Sequence, residues 1–253
     1  GFLVKYNSSG TKQWTKQFGT SSYDIGQGVT VDSAGNIYVT GYTQGSMDGN
    51  SNSGSYDGYI VKYNSSGTRQ WTKMFGTSSY DVPYQITSDS AGNIYVTGYT
   101  QGSMDGNSHA GGYDVFLVKY NSSGTKQWTK QLGSSSTDIA QGVTSDSAGN
   151  IYVTGYTYAS LDGNSHLGSN DIFLVKYNSS GAKQWTKQLG SSANDVGYGV
   201  GADSAGNIYV SGYTYGSLDG NSNAGQSDIF LVKYNSSGAK QWTKQFGTSS
   251  YDI

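Results

Sequence analysis

Apolar and polar residues alternate along this chain in short runs, and the runs return at a fixed interval. In Ile37–Thr43 (IYVTGYT), Ile37, Val39 and Gly41 fall on one side and Tyr38, Thr40 and Tyr42 on the other, the two-residue period of a strand. Ile25–Asp32 (IGQGVTVD) predicts a strand before it, joined through a turn at Ser33–Asn36 where Gly35 supplies a left-handed position. A longer loop leads to a third strand, Tyr59–Tyr63 (YIVKY). The turn Asn64–Gly67 (NSSG) suits a short hairpin with glycine in the bulge position, and Gln70–Phe75 (QWTKMF) closes the set. No segment carries a helical period, so essentially no helix is expected.

The set recurs. Trp14, Trp71, Trp128, Trp185 and Trp242 are spaced by 57 residues, and the sequence around each is nearly the same. Self-similarity of this length marks a repeat architecture. Ile229–Ile253 repeats Gly1–Ile25 with only Ile229 for Gly1 and Ala239 for Thr11 exchanged. The chain reads as one array over residues 1–253. It comprises an orphan outer hairpin at 1–19, blades at approximately 20–76, 77–133, 134–190 and 191–247, and the start of another repeat at 248–253. Such ends suggest a piece of a longer array. The expected partner is then a second copy or the remainder of a parent chain.

Four short antiparallel strands per repeat, apolar or aromatic on both faces, are what a β-propeller blade requires, because each blade packs on a neighbour at either side. A sandwich strand would show one solvated face. The fold class expected is all-β, with about 18 strands. The smallest residues (Gly26, Gly28, Val29) place the first strand at the crowded axis. Lys12, Gln13, Lys16 and Gln17 place the last at the outer edge. The recurring tryptophans are expected as buried residues of the seams between blades.

The combination DSAGNIYVTGYT, DIFLVKYNSSG and QWTKQFG resembles the SBBP-type β-propeller repeat of bacteria and archaea, and the VDSAGNIYV hairpin is more distantly similar to NHL-type propellers. The resemblance covers the whole chain. It implies an extracellular or cell-surface protein, a module of a large multidomain chain without a defined activity. The family's name refers to seven blades; four blades and a hairpin depart from that and leave ring closure by this chain open.

Composition narrows the chemistry. The formal net charge of −2 provides no electrostatic footprint for nucleic acid, no apolar run reaches the length of a membrane helix, and there is no cysteine. All 17 acidic residues are aspartate, in four recurring slots typified by Asp24, Asp32, Asp48 and Asp57. Acid–base catalysis needs carboxylates in unlike environments, whereas a repeat supplies the same one again. A non-enzyme is expected, and a hydrolase or lyase propeller is the least favoured alternative. His109 and His166 share one loop slot, too few donors for zinc. The sequon-like NSS at Asn7 and its copies is accounted for by the hairpin turn.

Two groups of residues are candidates for binding. Between the second and third strands, Asp48, Asn50, Asn52 and Asp57 place oxygen donors at alternate positions, as a calcium loop begins. The copies are Asp105, Asn107, His109, Asp114; Asp162, Asn164, His166, Asp171; and Asp219, Asn221, Asn223, Asp228. Calcium is the one cofactor these loops would hold; Asx side chains satisfying their own backbone are the alternative. On the inner strand Gln27, Tyr84, Gln141 and Tyr198 alternate at one axial slot, and the loop stretches GSYDGY, GGYDVF, GSNDIF and GQSDIF vary. Variable positions on a rigid scaffold suit ligand contacts, here a glycan. The functional expectation is a non-catalytic structural or adhesive module acting through assembly, with glycan binding through the axial face and variable loops as the alternative.

Overall fold

The computed structural model describes residues 1–253 and contains strands but no helix. A lone hairpin, β1 (Phe2–Tyr6) and β2 (Lys12–Gln17), is followed by four sheets of four antiparallel strands each, in simple meander order. The first blade is β3 (Asp24–Val31), β4 (Ile37–Thr43), β5 (Asp57–Tyr63) and β6 (Arg69–Phe75). The second is β7 (Asp81–Ser88), β8 (Ile94–Thr100), β9 (Asp114–Tyr120) and β10 (Lys126–Leu132). The third is β11 (Asp138–Ser145), β12 (Ile151–Thr157), β13 (Asp171–Tyr177) and β14 (Lys183–Leu189). The fourth is β15 (Asp195–Ala202), β16 (Ile208–Thr214), β17 (Asp228–Tyr234) and β18 (Lys240–Phe246).

The inner strands β3, β7, β11 and β15 pack side by side in that order; β15 does not return to pack on β3 in the same way. Val29 and Val31 of β3 therefore stand 55% and 56% exposed, whereas Ile86 and Val143, which take the Val29 slot in the next two blades, are buried. The third strand begins at Asp57, earlier than the Tyr59 read from the alternation, because a parallel bridge from Tyr56 to Tyr80 ties its start to the next blade.

Each seam has its own core. Tyr38, Ile60 and Phe75 of the first blade interlock with Ile86, Ile94, Val96, Phe116, Val118 and Tyr120 of the second. Burial on both faces explains why β4 and β5 are closed to solvent nearly throughout. Polar strand residues inside are satisfied: the Thr97 hydroxyl donates to the Phe116 carbonyl at 2.7 Å. Gly98 has no alternative, since a Cβ there would lie 2.0 Å from the Val82 carbonyl oxygen.

The tryptophans depart from expectation. Trp71, Trp128 and Trp185 are half-buried, and Trp242 is exposed. Each of these three indoles, like the equally half-buried Trp14, lies at the outer rim of a seam, on the NSSG turn of the following blade. A Cβ on Gly124 would meet the Trp71 indole at 3.0 Å, and one on Gly181 the Trp128 indole at 3.0 Å. An ammonium completes the clasp: Lys62 Nζ donates to the Ser122 carbonyl at 2.8 Å while lying 5.2 Å from the Tyr38 ring centre. The indole is a clamp on the neighbour's backbone, which leaves its outer edge in water.

Candidate functional site

In every blade the first and third strands begin, and the second ends, on the same face of the array. Residues immediately before β3, β5, β7 and β9 therefore gather with the ends of β4 and β8. In the first two blades those residues are aromatic. Tyr23, Tyr42, Tyr56, Tyr80, Tyr99 and Tyr113, with Gln44, Gln101 and Val82, line an open cleft of about 550 Å³. Ring centres are 5.2 Å apart for Tyr42–Tyr56 and for Tyr56–Tyr80, and 4.6 Å apart for Tyr99–Tyr113. Tyr80 is 42% exposed and Tyr23 53%, so ring faces remain open above the cleft floor.

Burial and neighbouring phenols raise the pKa of Tyr42 and Tyr99 above the ordinary tyrosine value. The hydroxyls there are neutral and able to donate as well as accept. The cleft combines planar aromatic faces with phenol and amide groups. It holds no carboxylate pair or nucleophile–base pair among its lining residues.

The cradle belongs to two blades only. Thr137 and Asn194 take the slot of Tyr23 and Tyr80, and Asn170 and Ser227 take that of Tyr56 and Tyr113. Tyr158 and Tyr215 replace Gln44 and Gln101. Of the cradle, Tyr56 and Tyr113 lay in the loop stretch whose variation marked it as a contact region. Tyr23, Tyr42, Tyr80, Val82, Tyr99 and the two glutamines were not among the candidates; for Tyr23 and Tyr80 the exchange of Tyr for Thr and Asn in front of successive inner strands was the signal.

The axial residues Gln27, Tyr84, Gln141 and Tyr198 all occupy a β-bulge. The register between β3 and β4 skips from Gly26 to Gly28, and that between β7 and β8 from Pro83 to Gln85, leaving the residue between unpaired. A bulge re-aims its side chain away from the ladder. Tyr84 packs its ring 5.8 Å from Tyr99 and so borders the cradle. Tyr198 makes the same contact with Tyr213 at 5.7 Å but stays 45% exposed. Gln27 is exposed and Gln141 half-buried, and neither lines the cleft.

The loop donors are not brought together as a calcium loop would need. Asp48 has a left-handed backbone, φ 50°, which turns its carboxylate outward to Arg69 at 2.7 Å and Thr72 at 2.5 Å. Asp105, Asp162 and Asp219 do the same with Lys126, Lys183 and Lys240. Burial alone would raise the pKa of Asp105, but Lys126 and Thr129 outweigh it and hold the carboxyl below its ordinary value.

Asn50 donates its amide to the Met47 and Thr72 carbonyls, and Asn107, Asn164 and Asn221 repeat this in their own loops. Asn52 and Asn223 accept from the Gly54 and Gly225 amides. Asp57, Asp114, Asp171 and Asp228 point the other way, beneath the cradle face, each accepting from the loop amide four residues before it. His109 and His166 stand 3.4 and 3.5 Å from Asp114 and Asp171. The Asx-turn alternative describes these loops. The Asp32 slot is likewise a turn: its carboxylate accepts from the Ala34 and Asn36 amides and the Tyr38 hydroxyl.

The β-propeller repeat named SBBP matches at residues 13–46, 70–103, 127–162 and 184–219, segments that run from each outer strand through the next inner hairpin. The chain belongs to the SBBP β-propeller repeat family. Among curated relatives, an uncharacterized WD repeat-containing protein of Acanthamoeba polyphaga mimivirus is 28% identical over 93% of this chain and 23% of its own length. The regulatory protein FlaEY of Caulobacter vibrioides is 28% identical over 64% of this chain and 19% of its own. This SBBP array thus spans less than a quarter of the length of those relatives. A solved structure from Bacteroides caccae, described as a protein of unknown function, superposes with a TM-score of 0.54 at 14% identity, covering 97% of this chain and 77% of that one. At that identity the likeness concerns the fold.

Proposed function

We propose that this SBBP array is a non-catalytic recognition module of an extracellular or cell-surface protein, and that its tyrosine cradle takes a glycan. The carrying observation is the cleft over the first two blades, in which six tyrosines and two glutamines surround one concave surface. A pyranose presents a C–H face that stacks on aromatic rings and hydroxyls that pair with phenols and carboxamides; rings held by a rigid scaffold lose little entropy on binding. Binding to a glycan array, followed by calorimetry on the best ligand, tests this. Tyr56→Ala and Tyr80→Ala are each expected to weaken binding about ten-fold or more, on the order of the 1.4 kcal/mol or more that a stacked ring supplies. Absence of any retained glycan, or undiminished affinity in both variants, removes the proposal.

A second role in assembly is supported by a separate observation. Val29 and Val31 at one end of the array, and Phe246 and Trp242 at the other, are seam residues left open to solvent. Apolar surface of that kind favours association with another blade.

A further inference from the structure

The tyrosines of this face do not stop at the cradle. Tyr23 and Tyr80 are each tied to a glutamine through the backbone: the Gln44 main-chain amide donates to the Tyr23 carbonyl at 3.0 Å, and that of Gln101 to the Tyr80 carbonyl at 2.9 Å. The third and fourth blades keep the bond and exchange the side chains. The Tyr158 main-chain amide donates to the Thr137 carbonyl at 3.0 Å, and that of Tyr215 to the Asn194 carbonyl at 2.9 Å. Where the first partner of the pair loses its ring, the second gains one. Every blade therefore carries one tyrosine at this pair, on the same face of the array. All four rings stand in water: Tyr23 is 53% exposed, Tyr80 42%, Tyr158 47% and Tyr215 37%. Seam packing does not explain a ring that is kept through an exchange of slots and still left exposed.

The later rings also connect to the cradle. Between ring centres, Tyr158 stands 5.9 Å from Tyr156, and Tyr215 stands 5.6 Å from Tyr213. Tyr156 and Tyr213 hold the slot that Tyr42 and Tyr99 hold in the cradle. Burial first, and then the phenols of Tyr158, Tyr84, Tyr198 and Tyr213, push Tyr156 up to about 12. Phenols of the second, third and fourth blades thus lie together, and Tyr84 among them borders the cradle through Tyr99. The surface is uncharged where it is deepest. No charged side chain lines the cradle, and Asp57 and Asp81, which follow Tyr56 and Tyr80, are buried beneath it. Nothing there complements an anionic or cationic ligand.

We propose that this face binds the interior of a linear, uncharged polysaccharide, with the cradle as one subsite and Tyr158 and Tyr215 as further platforms along the same chain. The inference rests on the glycan reading of the cradle and extends it to the class of glycan. Packed sheets lie about 10 Å apart, so platforms on successive blades are spaced more widely than a single pyranose. Only a chain can touch several of them. A polymer of like units offers the same C–H face at intervals, as the blades offer a ring at intervals. Each further platform engaged by an already bound chain adds affinity at high effective concentration.

The test takes the glycan that an array retains best and compares a short and a long oligomer of it by calorimetry on the whole chain. The long oligomer should bind about ten-fold or more tighter. Tyr158→Ala/Tyr215→Ala should remove that gain and bring the long oligomer down to the affinity of the short one. Tyr158→Phe/Tyr215→Phe keeps both rings and should keep the gain. Tyr6→Ala, at an exposed tyrosine of the outer hairpin, should alter neither affinity. Equal affinity of the two oligomers, a gain that survives the loss of both rings, or retention of charged glycans alone overturns the proposal and leaves the cradle reading standing. Absence of any retained glycan overturns both.

Discussion

The clasp between an indole and the neighbouring NSSG turn makes a quantitative prediction at Gly181. Its φ is +80°, a conformation that costs an L-residue roughly 1–2 kcal/mol. A Cβ there would also stand 3.0 Å from the Trp128 indole and 2.7 Å from Lys130 Cε. The lysine end can swing away. The indole is held by Tyr95, whose ring centre is 6.0 Å distant, and has to shift by a few tenths of an ångström. Overpacking of this kind adds about 1 kcal/mol or more. Gly181→Ala is therefore expected to cost about 2–3 kcal/mol. Gly163 isolates the backbone part. Its φ is +76° and a Cβ there would meet no heavy atom within 4 Å, so Gly163→Ala should cost only about 1–2 kcal/mol. In a Trp128→Ala background the steric part disappears, and Gly181→Ala should fall to the Gly163→Ala value. Urea unfolding of the four proteins of this cycle, with Gly163→Ala beside them, gives the coupling directly. Additivity within about 0.5 kcal/mol would show that the indole does not press on the turn, and the clasp would be wrong.

Two further outcomes follow from the carboxylates and the open seams. Burial raises the pKa of Asp81, Asp138 and Asp195 above the ordinary 3.8, so they favour the fold below that value and this contribution is lost as pH rises through their native values; Asp32, Asp105, Asp146 and Asp162 are lowered and do the reverse, stabilising above 3.8 and failing as pH falls. Melting curves of Asp138→Asn should accordingly lose part of the decline seen on the alkaline side of 3.8, and an unchanged pH profile would contradict the burial assignment. Light scattering of the wild-type chain against a Val29→Ser/Val31→Ser protein should show association that weakens in the variant; a monomer in both cases would exclude the exposed inner strand as the contact.

Much of the fold was legible because its causes are local. The alternation in Ile37–Thr43 is a property of seven consecutive residues, and β4 begins and ends where that alternation does. The Asp32 and Asn64 turns are likewise internal affairs, with every side-chain bond reaching no more than six residues along the chain. Repetition did the rest: once one blade reads as four strands apolar on both faces, its copies can only stack. The site was less legible. Asp48, Asn50, Asn52 and Asp57 look convergent when spacing alone is considered, but the left-handed turn at Asp48 sends the two carboxylates to opposite sides of the loop.

The sequence by itself thus determined the strands, their order within a blade, the turn chemistry and the repeat that makes every seam alike. These depend on side-chain period and on hydrogen bonds between near neighbours. Only the tertiary structure decided that Tyr23, Tyr56, Tyr80 and Tyr113 share one cleft, that Asp57 faces Asp81, and that the tryptophans clamp a neighbour's turn with one edge in water. Each of those contacts crosses a seam, and its partners are set by how one blade's loops overlie the next. That offset is a property of packed sheets, and no stretch of a single blade encodes it.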